Sequence, residues 1–211
     1  MAKGAEQQRP IGLVLEGATE YRVLPSWLSR LGVRSVTPSV FDGQPVDASV
    51  ADLVEYRLLR HVRTQLLKAP GNVVVVLDRE SRTESAREFA AALQKELVRR
   101  VNRHDGIMAS ARIVVVVADR ALENWLLADP ESVAKSRLLH RKNSIVKQVS
   151  CHSDTKDAKR ILQTAMTRSW YERAVHGPML ARHVRVDEAE MKFCSRSFKA
   201  FLKSVQAAPL S

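Results

Sequence analysis

Acidic residues sit at the ends of apolar runs in this sequence. Ile11–Leu15 leads into Glu16, Val73–Leu77 into Asp78, and Ile113–Val117 into Asp119 by way of Ala118, with Glu123 about one helical turn later. Glu20 follows Glu16 by four residues, and Glu80 follows Asp78 by two, so in an extended segment the carboxylates of Asp78 and Glu80 would point the same way. Carboxylates gathered in a folded core repel one another and lose their solvation, so they need either Arg/Lys partners or a bound cation. An all-oxygen set without cysteine or histidine suits a hard divalent cation, magnesium or manganese, better than zinc. A lone aspartate after a strand is more often a helix cap or a loop residue, and Asp119 and Asp129 are read that way. Glutamate is a poor cap, which sets Glu16, paired with Asp78, apart as functional.

The elements that must hold these acids follow from the apolar pattern. Ile11–Leu15, Val33–Val40, Val73–Leu77 and Ile113–Val117 read as strands, the last two as continuous β-branched runs expected of strands buried on both faces. Between them, Thr19–Leu31, Val50–Leu67 and Arg82–Arg103 carry apolar residues at helical spacing, and Ala121–Leu127 opens a further helix. This alternation predicts a mainly parallel four-stranded α/β sheet flanked by helices and joined by right-handed crossovers. In such sheets functional groups collect beyond the carboxyl ends of the strands, where the acids fall. After Ser132 the strand signal fades, and Asp157–Met166, Pro178–Val184 and Ser197–Val205 have helical spacing. The expected organisation is an α/β core over residues 10–132 and a basic helical C-terminal lobe over 133–211, packed on the same globule.

Charge separates the two parts. Residues 1–134 hold 18 Lys/Arg against 17 Asp/Glu, whereas residues 135–211 hold 16 against 6, so nearly all of the net +11 lies in the C-terminal third. That asymmetry points to a polyanion, most simply DNA or RNA, whose neutralised phosphates release counterions. Arg79, beside the acids, and Lys156 and Lys159, in the basic part, are the candidate phosphate-binding residues. Trp27 and Trp125 are expected in the core. Trp170-Tyr171 could stack on a base, but core packing is the favoured expectation. No apolar run is long enough to span a bilayer, and the polar start lacks an apolar signal region, so a cytoplasmic protein is expected. No Gly-rich run ends in Gly-Lys-Ser/Thr, which excludes a Walker-type ATPase. Cys151 and Cys194 match no metal or redox spacing and are expected to be free thiols.

The segments LVLEGATE and VVVVLDRES resemble the TOPRIM domain, which has a glutamate after its first strand and an Asp-x-Asp pair after its third. The spacing of Glu16 and Glu20 resembles the overcoming-lysogenization-defect (OLD) branch of TOPRIM nucleases. ADRALENWLLADPES, HGPMLARHV and RSFKAFL resemble domain-of-unknown-function family 4276, so the likeness runs from about Ile11 to Val205. It implies magnesium, with manganese as a substitute, held by Glu16, Glu20, Asp78, Glu80 and Glu123. Glu16 takes the place of a general acid/base or ligand, and Asp78 that of the first Asp of the pair. Glu80 stands where the family has the second Asp, one methylene longer, which changes its reach. The activity implied is phosphodiester hydrolysis of DNA or RNA, with Glu16, Asp78 and Glu80 catalytic, in prokaryotic anti-phage defence beside an ABC-type ATPase partner. A homo-oligomer is left open. The competing readings are a non-catalytic nucleic-acid-binding or interaction subunit, and a phosphohydrolase or nucleotidyl transferase acting on a small substrate.

Overall fold

The structure, a computed structural model, describes residues 10–43, 47–104, 111–140, 142–149, 153–166, 170–187 and 194–206. Four strands form one fully parallel sheet in the order β2-β1-β3-β4: β1 is Gly12–Glu16, β2 Ser39–Phe41, β3 Asn72–Asp78 and β4 Arg112–Ala118. The β-branched runs become the two strands with the longest mutual register, Asn72 opposite Arg112 through to Asp78 opposite Ala118. Every residue of β1 and β3 is buried, as expected of central strands covered on both faces.

Helix α1 (Ala18–Arg30) follows β1, and α2 (Val50–Leu53) runs through a π-helical turn at Val54–Leu58 into α3 (Leu59–Lys68). Helix α4 (Ala86–His104) links β3 to β4, and α5 (Leu122–Leu126) and α6 (Pro130–Val133) follow β4. The remaining helices are α7 (Lys142–Val149), α8 (Ala158–Ala165), α9 (Arg173–Ala181) and α10 (Arg196–Gln206). Alternation along the strands divides the core. Val73, Val75, Leu77, Val115 and Val117 meet α3 and α4, where Val62, Leu66, Phe89, Leu93 and Leu97 are buried. Leu13, Leu15, Val74, Val76 and Val116 face α1 and the C-terminal helices, in one cluster with Trp27, Trp125, Phe198 and Phe201. Trp125 and Phe201 stack with ring centroids 5.1 Å apart, and Trp27 lies 5.0 Å from Phe198. Both tryptophans are core residues, as their spacing predicts.

Three expectations change. The second strand shrinks from Val33–Val40 to Ser39–Phe41, because before Ser39 only an isolated bridge, Ile11 to Ser35, pairs with its neighbour. The buried side chain of Gln65 fills that gap, accepting from Leu13 N at 3.1 Å and donating to Thr37 O and Ser39 Oγ, each at 3.1 Å. Core packing, expected for Trp170 and Tyr171 together, holds for Tyr171 just before α9 but not for Trp170, which is 79% exposed. The helix expected from Pro178 starts at Arg173 and carries Pro178 inside it. Cys194 makes no disulfide among the described residues, and Cys151 and His152 lie outside them. Among the described residues no helix is long and apolar enough to cross a membrane.

Gly12 lets Gln65 of α3 pack directly against β1. A Cβ there would sit 2.9 Å from Gln65 Cβ and 3.2 Å from Val73 Cγ2, neither at the end of a flexible chain. Gly12→Ala is expected to lower stability by about 1–3 kcal/mol through overpacking, read as a lower denaturation midpoint at unchanged slope.

Candidate active site

The carboxyl ends of β1, β3 and β4 bring four acidic side chains out of solvent. Glu16 is 7% exposed, Glu20 1%, Asp78 3% and Glu123 2%. Glu16 ends β1 and Asp78 ends β3, and Glu16 Oε2 accepts a hydrogen bond from Asp78 N at 3.0 Å, tying the two strand ends together. Glu20 lies in the first turn of α1, and Glu123 in the first turn of α5 just after β4. The spacing seen in the sequence therefore converges in space, as parallel-sheet topology requires.

The convergence has a centre that the sequence did not single out. Arg173, the first residue of α9, reaches into the acids from the C-terminal third. Its Nη2 donates to Glu20 Oε1 and, at 2.6 Å, to Asp78 Oδ2. Its Nε lies 3.4 Å from Glu123 Oε1 but is buried without a hydrogen bond. Tyr171 adds a bond from its hydroxyl to Glu123 Oε1 at 3.3 Å. Helix α9 is fixed against α1 by Arg22 Nη1 donating to Ala174 O at 3.0 Å and Trp27 Nε1 donating to Ala181 O at 3.0 Å. Gly177 lets the two helices meet, since a Cβ there would come within 2.9 Å of Thr19 Cγ2.

Burial dominates the ionisation of this cluster. It pushes the Glu20 carboxyl up to about 7, against the pull of Arg173 and with the repulsion of Glu123 and Glu16 added. Asp78 is raised for the same reason, burial first, with Arg173 opposing and Glu20 and Glu16 reinforcing. Burial disfavours the charge on Arg173, but Asp78, Glu123 and Glu20 outweigh it and hold the guanidinium protonated. The Tyr171 hydroxyl is pushed up by burial and by Glu123, and stays a donor.

Beside the acids opens a cleft of about 350 Å³, bordered by Asp78, Glu80, Glu123, Arg173, Lys156 and Lys159. Lys156 and Lys159 therefore border the acidic edge. The loop before α8 is held there by Asn124 Nδ2 donating to Lys156 O at 2.9 Å, while Asp157 caps α8 by accepting from Arg160 N at 3.1 Å. Glu80 borders the cleft from an exposed turn with φ of 54°. Arg79 is occupied elsewhere: its Nε donates to Asp119 Oδ1 at 2.7 Å and its Nη1 to Arg82 O at 2.8 Å. It braces the loop after β3, and it does not border the cleft. Asp119 is thereby a structural residue, in line with its reading as a loop aspartate. A larger cavity, about 910 Å³, runs between α4 and α10 beside β4. Its acids are engaged, Asp119 by Arg79 and Asp154 by the hydroxyls of Ser195 and Ser197 at 2.7 and 2.9 Å.

The donor set tests the fit of a divalent cation. Arg173 and Tyr171 apart, the side chains at the centre are carboxylates, three of them paired with one guanidinium and Glu16 beside them, so the residue types fit a hard cation. Their present arrangement answers to Arg173 instead: among the described residues no three acidic, histidine or cysteine side chains are grouped as a metal-ligand set. Arg173 could not be picked out from the sequence because nothing local distinguishes one arginine in a basic tract, and Tyr171 shows there only as a packing or stacking residue. The available signal was the surplus of buried acids, which demands a cation from elsewhere in the chain.

Comparisons with known proteins give a family-model match and similar solved structures. The model of a family described as domain of unknown function (DUF4276) matches residues 15–206. The C-terminal region of the Burkholderia pseudomallei OLD protein is similar in structure, with a TM-score of 0.51 at 16% identity over 96% of this chain and 99% of that one. The C-terminal region of the Xanthomonas campestris pv. campestris OLD protein gives a TM-score of 0.45 at 16% identity over 94% of each chain. No curated protein sequence matches this chain significantly.

A second buried acid in the same region is plainly structural. Asp129 caps α6 and accepts from Arg185 Nε and Nη2, both at 2.8 Å. Burial pushes its carboxyl up, but the bonds from Arg185 and Ser132 prevail and hold it below the ordinary 3.8. A depressed folded value means this stabilisation is present above pH 3.8 and is lost as pH falls through the folded value. Arg185→Met is expected to cost about 1–3 kcal/mol at neutral pH. The gap from the unaltered protein should close in acid, measured by urea denaturation across pH.

Proposed function

The chain belongs to the DUF4276 family, and from that premise we propose that it is a magnesium-dependent nuclease hydrolysing phosphodiester bonds of DNA or RNA. One observation carries this reading: buried Glu16, Glu20, Asp78 and Glu123 converge from three strand ends beside a cleft that also presents lysines to solvent. Fold likeness alone implies no chemistry; the acids and their surroundings do. The resemblance of the Glu16, Glu20 and Asp78 segments to the OLD branch of TOPRIM nucleases agrees with it.

In this reading Glu20, Asp78 and Glu123 hold the divalent cation, magnesium or manganese, with Glu16 beside them and Glu80 reaching in from the rim. Bound there, such an ion supplies Lewis-acid polarisation of a phosphoryl oxygen and a more acidic water. Glu16 orients the edge by gripping the Asp78 backbone at 3.0 Å, which fixes the direction of the Asp78 side chain. Lys156 and Lys159 receive the phosphates flanking the scissile one, as solvated point charges on the cleft wall. Trp170, 79% exposed three residues before Arg173, offers a face on which a base could stack. By the same resemblance the setting is prokaryotic anti-phage defence beside an ABC-type ATPase.

A specific observation supports a second reading. The guanidinium of Arg173 already pairs with three of the acids, which is how a parallel-sheet module that binds nucleic acid without cutting it would hold such a cluster together. Purified protein incubated with labelled single- and double-stranded DNA and RNA separates the two. Metal-dependent cleavage, stopped by chelator and reduced on the order of 10²- to 10⁴-fold in Asp78→Asn and Glu20→Gln, is the expected result. Salt-sensitive binding of every polymer with no cleavage in magnesium or manganese would leave the binding module standing.

A further inference from the structure

Resting on the metal-site reading above, we infer that Arg173 is an internal cation that competes with the divalent ion for Glu20, Asp78 and Glu123, and that on release it becomes a phosphate-binding residue of the cleft.

The geometry behind this is asymmetric. The acids are fixed: Asp78 belongs to a central strand, and Glu20 and Glu123 lie in the first turns of helices packed on the sheet. Their side chains are 2 to 4% exposed. Arg173 is not fixed in the same way. It opens α9, its side chain is 36% exposed, and it borders the cleft that Lys156 and Lys159 share. A long side chain at a helix start can turn outward without moving any strand. The hold is also incomplete. One nitrogen, Nη2, serves both Glu20 and Asp78, while Nε is buried near Glu123 with no hydrogen bond made. One guanidinium meets three buried carboxylates, Glu20, Asp78 and Glu123, a set that a dication matches better than a monocation.

Arginine suits both positions. Its planar guanidinium is always charged and matches carboxylate and phosphate alike, so leaving the acids for a phosphodiester exchanges one oxyanion partner for another. Metal arriving on the acids and a phosphate arriving in the cleft would then favour each other, since each removes an obstacle to the other.

The test uses the full chain, manganese as the probe ion followed by its paramagnetic resonance signal, thermal unfolding, and a fluorescein-labelled single-stranded DNA. If the arginine-bound state dominates without metal, Arg173→Met should bind manganese tighter by on the order of tenfold. Its metal-free melting temperature should fall and be restored by manganese to a greater extent than in the unaltered protein. Manganese should strengthen DNA binding by the unaltered protein and not by Arg173→Met. Should Arg173→Met fail to fold, Arg173→Lys keeps the charge but not the bridging geometry, and a smaller gain in manganese affinity is expected. Equal or weaker manganese binding in the soluble variant overturns the proposal. If no form binds manganese, the metal-site reading falls with it. Competition demonstrated without cleavage of any polymer keeps this inference and removes the nuclease.

Discussion

Four buried carboxylates at one edge of a sheet cannot stand without a counter-charge, and much of this molecule serves to supply one. Taking a charge out of water costs several kcal/mol unless a partner answers it. The strands and their crossovers deliver Glu16, Glu20, Asp78 and Glu123 to the edge, but they contribute no cation to the centre. That comes from Arg173, 95 residues beyond Asp78 in the chain. The C-terminal helices that carry it are bound into the same apolar cluster as the sheet through Trp27, Trp125, Phe198 and Phe201. The indole of Trp27 both fills that core and hydrogen-bonds Ala181 O at the far end of α9. The helix bearing the counter-charge is thus positioned by the core itself.

Backbone conformation at this edge points the same way. Among the described residues only Glu80, with φ of 54°, and Arg120, with φ of 106°, are non-glycine residues in the left-handed region. They follow β3 and β4, and they face each other through Glu80 N donating to Arg120 O at 2.9 Å. Such residues cost on the order of 1–3 kcal/mol each and tend to cluster at functional sites. Here they turn both loops sharply enough to leave a cleft over Asp78 and Glu123, with Gly17 (φ 96°) making the corresponding turn after β1.

How much of this was legible in the sequence depended on whether the cause was local. β3 and β4 could be read because valine runs buried on both faces leave a continuous apolar signature. Glu16 and Asp78 could be read because each ends such a run, and Glu20 and Glu123 because each follows one by about a helical turn. The limits of β2 could not, since an edge strand pairs only where its neighbour permits, and Gln65 from α3 replaces the missing pairing. Trp170 and Tyr171 look alike in sequence, yet one is exposed and the other is buried against Glu123. Arg173 could be foreseen as a need, because gathered acids require a positive partner, but not as a position. Which arginine answers depends on α9 meeting α1 at Gly177, a contact that no local pattern encodes.

The two kinds of charge at this edge differ in depth, and depth decides what each can do. Glu16, Glu20, Asp78 and Glu123 lie where the dielectric is low and salt screens little, so exchanging one cation for another among them changes their energies greatly. Lys156 and Lys159 face a solvent-filled cleft, where their attraction to a polyanion is modest and fades with ionic strength. A phosphate chain drawn in by the lysines would still meet the field of the buried acids, whose sign at the cleft floor depends on what neutralises them. Arg173 lies at the boundary, its guanidinium in the buried layer and its route outward through the exposed one. Approach to the cleft is therefore governed by salt and by the basic C-terminal third, while entry to its floor is governed by the cation held among the acids.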